Sequence, residues 1–160
     1  MELIADSIDE FYLAYFERMA EEHCGHVRNG AKPHFYVNNF IDSLSEINDA
    51  VRSKLSPEGF SMILDTFDDQ IEMNDAMPGV LSGAFSVIGK FDVRNPMSIR
   101  AVRSSCRAKA GTILMQMKRD SFAINEGVLS ARQIEVIDNA DGMRLGVIGE
   151  TFSGWAYTFK

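Results

Sequence analysis

Three groups of side chains in this sequence invite a chemical reading. The first is His23, Cys24 and His26, preceded by Glu21 and Glu22 and followed, beyond a short loop, by His34. His23 and His26 stand at i and i+3 and could share one face of a helix, which is the convergence a metal ion asks of its ligands. The spacing matches no zinc signature, and the run sits at a helix end, where polar residues normally collect. A Cys–His nucleophile pair is weaker still, because sequence neighbours point apart and nothing nearby would orient the base or hold an oxyanion.

The second group is acidic: Asp65, Asp68, Asp69, Glu72 and Asp75. Paired carboxylates can hydrolyse glycosides or bind a divalent cation, but both tasks need convergence in a cleft. A solvated face, or a surface that meets basic residues, accounts for them more simply. The third group is basic. Residues 94–119 carry Arg94, Arg100, Arg103, Arg107, Lys109, Lys118 and Arg119 and no acidic residue, whereas the chain as a whole has 16 basic and 23 acidic side chains. Arg100, Arg103 and Arg107 repeat at helical spacing and would line up for phosphates or carboxylates. The segment holds no aromatic residue for base stacking, and a net charge of −7 disfavours non-specific nucleic-acid binding elsewhere on the surface. Charge complementarity with acidic protein surface, in the same subunit or an adjacent copy, explains the asymmetry more cheaply. The interface candidates are therefore Arg100, Arg103, Arg107 and Lys109 against Asp65, Asp68, Asp69 and Glu72. No catalytic residue, metal ligand or cofactor site is expected; Gly79, Gly83, Gly89 and Gly111 form no phosphate-binding loop.

The elements that must position these groups follow from periodicity. Ile8, Phe11, Tyr12, Tyr15, Phe16, Met19 and Ala20 recur at three and four residues, predicting a helix from Ser7 or Asp9 to about His26, with Asp6 or Ser7 as N-cap. Asn29-Gly30 and Lys32-Pro33 mark a loop. A second helix is expected over Val37 to Leu55, stopped by Ser56-Pro57-Glu58-Gly59. Phe60 to Met73 reads as a strand with an irregularity at Asp68-Asp69, and Val80 to Val93 as its hairpin partner across a turn at Asn74 to Gly79. Asn95-Pro96 then opens a long helix to Arg119, with Ile99, Val102, Cys106, Ala110, Ile113 and Met117 as one apolar stripe. After a break at Asn125-Glu126-Gly127 come a strand at Gln133 to Ile137, a turn at Asn139 to Gly142, a strand over Met143 to Ile148, and a final strand with Trp155, Tyr157 and Phe159 on one face.

At 160 residues the chain fits a single domain, residues 1–160, with 46% hydrophobic residues to build a core. The expected class is α+β: an antiparallel sheet with the long amphipathic helix (about 95–119) and the N-terminal helices packed on one face. No apolar run approaches the ~20 residues of a bilayer span, and the acidic N-terminus lacks the features of a signal peptide, so a cytoplasmic start and no membrane partner are expected. Cys24 and Cys106 sit in no metal or redox spacing, and Cys106, on the apolar stripe, reads as a small buried hydrophobe.

The C-terminal stretch GETFSGWAYTFK carries a resemblance. With the order helix, strand (MILDTFDDQIEM), strand (AFSVIGKF), long helix (NPMSIRAVRSSCRAKAGTILMQMKRDS), strand (QIEVI) and a terminal Gly-Trp-aromatic strand, the chain resembles small tail-completion or tail-terminator proteins of tailed phages and prophages. Gly154, Trp155, Tyr157 and Phe159 carry the motif. The resemblance implies an α+β structural subunit without catalysis. It would assemble as a homo-oligomer, commonly a six-membered ring, at the tail end or head–tail junction, with other tail or neck proteins as partners. Such a subunit would work in the host cytoplasm during assembly and then in the virion. A small binding module that uses residues 94–119 for nucleic acid or an acidic ligand is the alternative.

Overall fold

A computed structural model describes residues 8–25, 31–38, 44–71, 73, 79–127 and 140–160. The element order is α1 (Ile8–His23), β1 (Phe35–Asn38), α2 (Leu44–Ser53), β2 (Phe60–Ile71), β3 (Gly79–Lys90), α3 (Ser98–Gly127), β4 (Ala140–Arg144) and β5 (Phe152–Phe159). The strands form one five-stranded sheet in the order β1-β2-β3-β5-β4. The class is α+β, as expected. The sheet is mixed rather than wholly antiparallel, because β1 pairs in parallel with β2, Phe35 lying opposite Met62. Between them α2 carries the chain back to the end it came from, as a parallel pair requires.

Alternation along the strands sends side chains to two faces. Met62 and Leu64 of β2, Phe85 and Val87 of β3, and Trp155, Tyr157 and Phe159 of β5 meet α1 and α3. Ile63, Ile88 and Phe152 point the other way and meet Val51 and Leu55 at the end of α2. The helices thus occupy both faces, not one. Helix α2 is drawn to the second face because its apolar side can close only over the residues that α1 and α3 leave uncovered.

Helix α1 follows its expected stripe: Tyr12, Tyr15, Phe16, Met19 and Ala20 are buried. The Phe16 ring lies 5.8 Å from Phe85 and 5.5 Å from Phe159. In β2 the register shifts between Asp65 and Asp68, just before the expected Asp68-Asp69 irregularity. The shift leaves Thr66 exposed and returns Phe67 to the helix face, where its ring stands 5.0 Å from Tyr12. Without it, strict alternation would turn Phe67 to the opposite side.

The long helix starts as expected around Asn95-Pro96. Asn95 Oδ1 accepts a bond from Met97 N at 3.2 Å, and a tight turn closed by Ser98 N donating to Asn95 O at 2.9 Å precedes the α-helix proper. Cys106, Ala110, Ile113 and Met117 are buried on the sheet.

Several boundaries differ from expectation. Residues 35–38 form β1 where the sequence suggested loop and the start of a helix, and α2 begins only at Leu44. Helix α3 runs to Gly127, through the expected break. The turn expected at Asn139 to Gly142 is largely strand β4, which ends at Arg144; of the following residues, Leu145 N donates to Gly154 O at 3.0 Å and Ile148 bridges to Phe152. The expected strand at 133–137 lies outside the described residues, as do His26, Glu72 and most of the expected turn at 74–79.

Candidate functional site

An α-helix turns about 100° per residue, so steps of three and four place Arg100, Arg103, Arg107, Gly111, Leu114 and Lys118 along one flank of α3. That flank looks toward β5. Arg103 Nη2 donates to Leu145 O at 2.8 Å, and its Nε reaches Leu145 O at 3.2 Å and Ser153 Oγ at 3.0 Å. The Arg107 guanidinium lies 5.3 Å from the centre of the Trp155 ring, within cation–π range. Arg100, Arg107 and Lys118 are exposed. Lys109 points elsewhere, its ammonium 5.5 Å over the Phe60 ring of β2.

None of these partners is acidic. Ion pairs among the described residues join Arg18 to Glu22 and Asp120, and Arg52 to Asp49 and Glu150; none of them uses the basic side chains of residues 94–119. Among the described residues, then, the row meets a carbonyl, a hydroxyl and an indole, which orient its charge without neutralising it.

Beside the row lies a shelf. Register places Arg144 opposite Trp155 and Gly142 opposite Tyr157, each pair on one face of the sheet, and all five residues of β4 are exposed. A Cβ on Gly142 would fall 2.5 Å from Tyr157 Cε1 and 2.7 Å from Trp155 Nε1, so only glycine lets both rings lean over β4. Trp155 Nε1 is shielded there and donates to no acceptor among the described residues. Across the gap, a Cβ on Gly111 would meet nothing within 4 Å, so the helix side of the shelf is open.

The motif residues have structural reasons of their own. Trp155, Tyr157 and Phe159 pack against the core on the helix face. Gly154 sits where β3 passes so close that a Cβ would lie 2.0 Å from Val87 O. Strand β5 is interior, paired to β3 on one side and β4 on the other.

The acidic candidates do not come together. Asp65 accepts a bond from Asn38 Nδ2 at 3.1 Å, and burial raises its carboxyl above the usual range, opposed by that bond. Its backbone oxygen also accepts the Tyr12 hydroxyl at 2.8 Å, and burial followed by the Asp65 charge raises that phenol. Asp68 lies beyond the register shift and is exposed. Asp69 pairs with Leu81 in the ladder, and its side chain, like Glu72, is outside the described residues.

At the end of α1, burial lowers the His23 pKa below its usual value, and burial pushes the Cys24 and Cys106 thiols up to about 12. His34 is committed to Phe60 O through Nδ1 at 2.7 Å. The described residues contain no group of three His, Cys, Asp or Glu side chains placed to hold a metal ion. Two open clefts of about 320 and 300 Å³ lie at Pro57–Phe60–Val102 and Asn48–Arg52–Glu150, and the arginine row lines neither. No described helix is long and apolar enough to cross a membrane.

Sequence reasoning missed two features. One is Asp120, the first acid after the basic run, which accepts Tyr15 Oη at 2.8 Å and Gln116 Nε2 at 2.8 Å and lies 3.4 Å from Arg18, tying α1 to α3. The other is the aromatic support under Arg107, which comes from a strand 48 positions later in the chain. Only the ladder of β5 against β3 brings the two together. Compared with protein-family models, with curated protein sequences and with solved structures, the chain matches none of them.

Proposed function

We propose that the chain is a structural, non-enzymatic assembly subunit of the tail-terminator or neck type, which closes into a homo-oligomeric ring at a phage or prophage tail end or head–tail junction. The observation that carries this reading is the exposed basic row on α3, held in place by neutral partners on a chain that is otherwise acidic. Cyclic assembly joins two different surfaces of one subunit, and segregated charge supplies such a pair. Other tail or neck proteins are the further partners; sequence-specific nucleic acid, membranes, metals and cofactors have no part in it. The acidic remainder would let DNA pass a channel without sticking. The place of action is the host cytoplasm during assembly, then the virion. Native mass spectrometry and negative-stain microscopy of concentrated protein, with and without tail-tube protein, test this: a closed ring, commonly of six copies, is expected, and a monomer under every condition overturns it.

Trp155 favours one other reading. An indole beside Arg107 gives the basic helix the aromatic partner it lacks in sequence, as in modules that bind single strands or acidic ligands. A gel-shift titration at two salt concentrations separates the readings: salt-sensitive binding lost in Arg100→Ala/Arg103→Ala supports the module, and its absence removes it.

A further inference from the structure

On the helix-covered face the layer is incomplete. Helix α1 touches β1, β2 and α3, and α3 covers β3 and β5, but β4 is exposed at every position. Among the described residues, going from the β1 edge toward the β4 edge, the order is α1, α3 and then an unfilled place, bounded by the Arg100–Arg107–Lys118 flank and floored by Trp155, Tyr157 and Gly142.

Helix α1, at the opposite end of the same layer, has the complementary character. Residues 10, 13, 17 and 21 follow one another at three and four residues, so Glu10, Leu13, Glu17 and Glu21 form one ridge, and all four are exposed. Glu17 and Glu21 are four residues apart, about 6 Å along the axis, and Arg100 and Arg107 seven, about 10 Å, a difference that their long side chains span. Leu13 supplies an apolar centre, and exposed Met97 and Met115 beside the arginine row supply apolar surface to receive it.

We infer that α1 of a second copy lies along the basic flank of α3 and fills the place over β4, its Glu17 and Glu21 meeting Arg100 and Arg107. The contact is heterologous, one end of the helix layer against the other, so each copy keeps a free donor and a free acceptor until the series closes. It names the subunit contact within the ring proposed above and rests on that reading for closure alone. Of the possible occupants, a second copy fits best, because an acidic ridge at the opposite end of the same helix layer is carried by the same chain.

The test uses the full chain in sedimentation velocity at low and high salt. The variants are Arg100→Glu/Arg107→Glu, Glu17→Lys/Glu21→Lys, and Lys109→Glu on the other flank as a control. All four glutamate and arginine positions are exposed, and thermal melts of each variant confirm that folding is retained. Expected are association of the wild type that weakens in salt, a loss of about tenfold or more in affinity in either double variant, and recovery when the two double variants are mixed, with Lys109→Glu unchanged. Oligomers indifferent to both double variants overturn the contact and leave the ring standing. Salt-sensitive chains that are rescued by mixing but never close overturn the ring and leave the contact standing. Absence of association, with tail-tube protein present as well as without it, overturns both, and nucleic-acid binding lost in Arg100→Glu/Arg107→Glu without self-association reassigns the row to that ligand.

Discussion

The two faces of the sheet are built to different standards. Under α1 and α3 lie interlocked aromatic rings, Tyr12, Tyr15, Phe16 and Phe85, with Met19, Met62, Leu64, Cys106 and Ile113 buried among them. Under α2 the buried set is Val51, Leu55, Ile63, Ile88 and Phe152. The thicker face carries the arginine row and the acidic ridge, and its side chains come from all parts of the sequence; the thinner one closes around a short connection. A surface that must hold charge in a fixed pattern needs a rigid backing, and this fold supplies it on one side only.

The difference can be broken most severely at its centre. Phe85→Ala should cost about 3–5 kcal/mol, because Phe85 is fully buried between α1, α3 and β5, and a melt should show a drop of the order of 10 °C. Leu55→Ala, equally buried but on the thinner face, should cost about 2–3 kcal/mol, since α2 is short and free to settle inward. A larger loss at Leu55 than at Phe85 in denaturant titration would reverse the ranking of the two faces. Gly154→Ala should cost about 1–3 kcal/mol, because the new Cβ meets the β3 backbone rather than a side chain that can swing aside. Tyr15→Phe should cost about 1 kcal/mol by leaving Asp120 with one fewer donor, and should speed hydrogen exchange in α1 more than in α2.

The smallest effect is a pH dependence. The folded pKa of His23 is lowered by burial, so the folded state binds fewer protons than the unfolded chain around the usual value of 6.5. Its contribution to stability is therefore present above that value and is lost as pH falls through the folded pKa. Melts between about pH 7 and 5.5 should show a decline that His23→Gln flattens. Raised thiol pKa values make a companion measurement: Cys24 and Cys106 should react slowly with thiol reagents at neutral pH in the folded protein, and both should react promptly on unfolding.

How much of this was legible in the sequence depended on the range over which each signal acts. The stripes of α1 and α3 and the alternation of β2 and β3 are local, repeated over several turns or pleats, and they placed the core correctly. Strand β1 was not legible: four residues, three of them half-buried, give no alternation, and their pairing is fixed by α2 and β2. Asn125-Glu126-Gly127 misled because helix propensity is a weak preference that context overrides, and α3 continues through them. The arginine row was readable from spacing, whereas its support was not, since Leu145, Ser153 and Trp155 reach it through pairings between distant segments. The surroundings of Asp65 were hidden for a similar reason: it finds its partner, Asn38, on a strand the sequence did not announce.

Strand β5 follows β4 in the chain, yet it lies between β3 and β4. During synthesis, therefore, β4 leaves the ribosome before its one partner among the described strands, and the β3 edge that β5 will take waits until the Gly-Trp segment appears. The sheet cannot be completed outward from its first hairpin; its last-made described strand must insert into the middle. Contacts of long sequence separation close slowly, so the unpaired edges of β3 and β4 are exposed for that interval. Exposure of this kind favours pairing between nascent copies, so the timing of β5, and not only its sequence, bears on how long those edges stay open to a wrong partner.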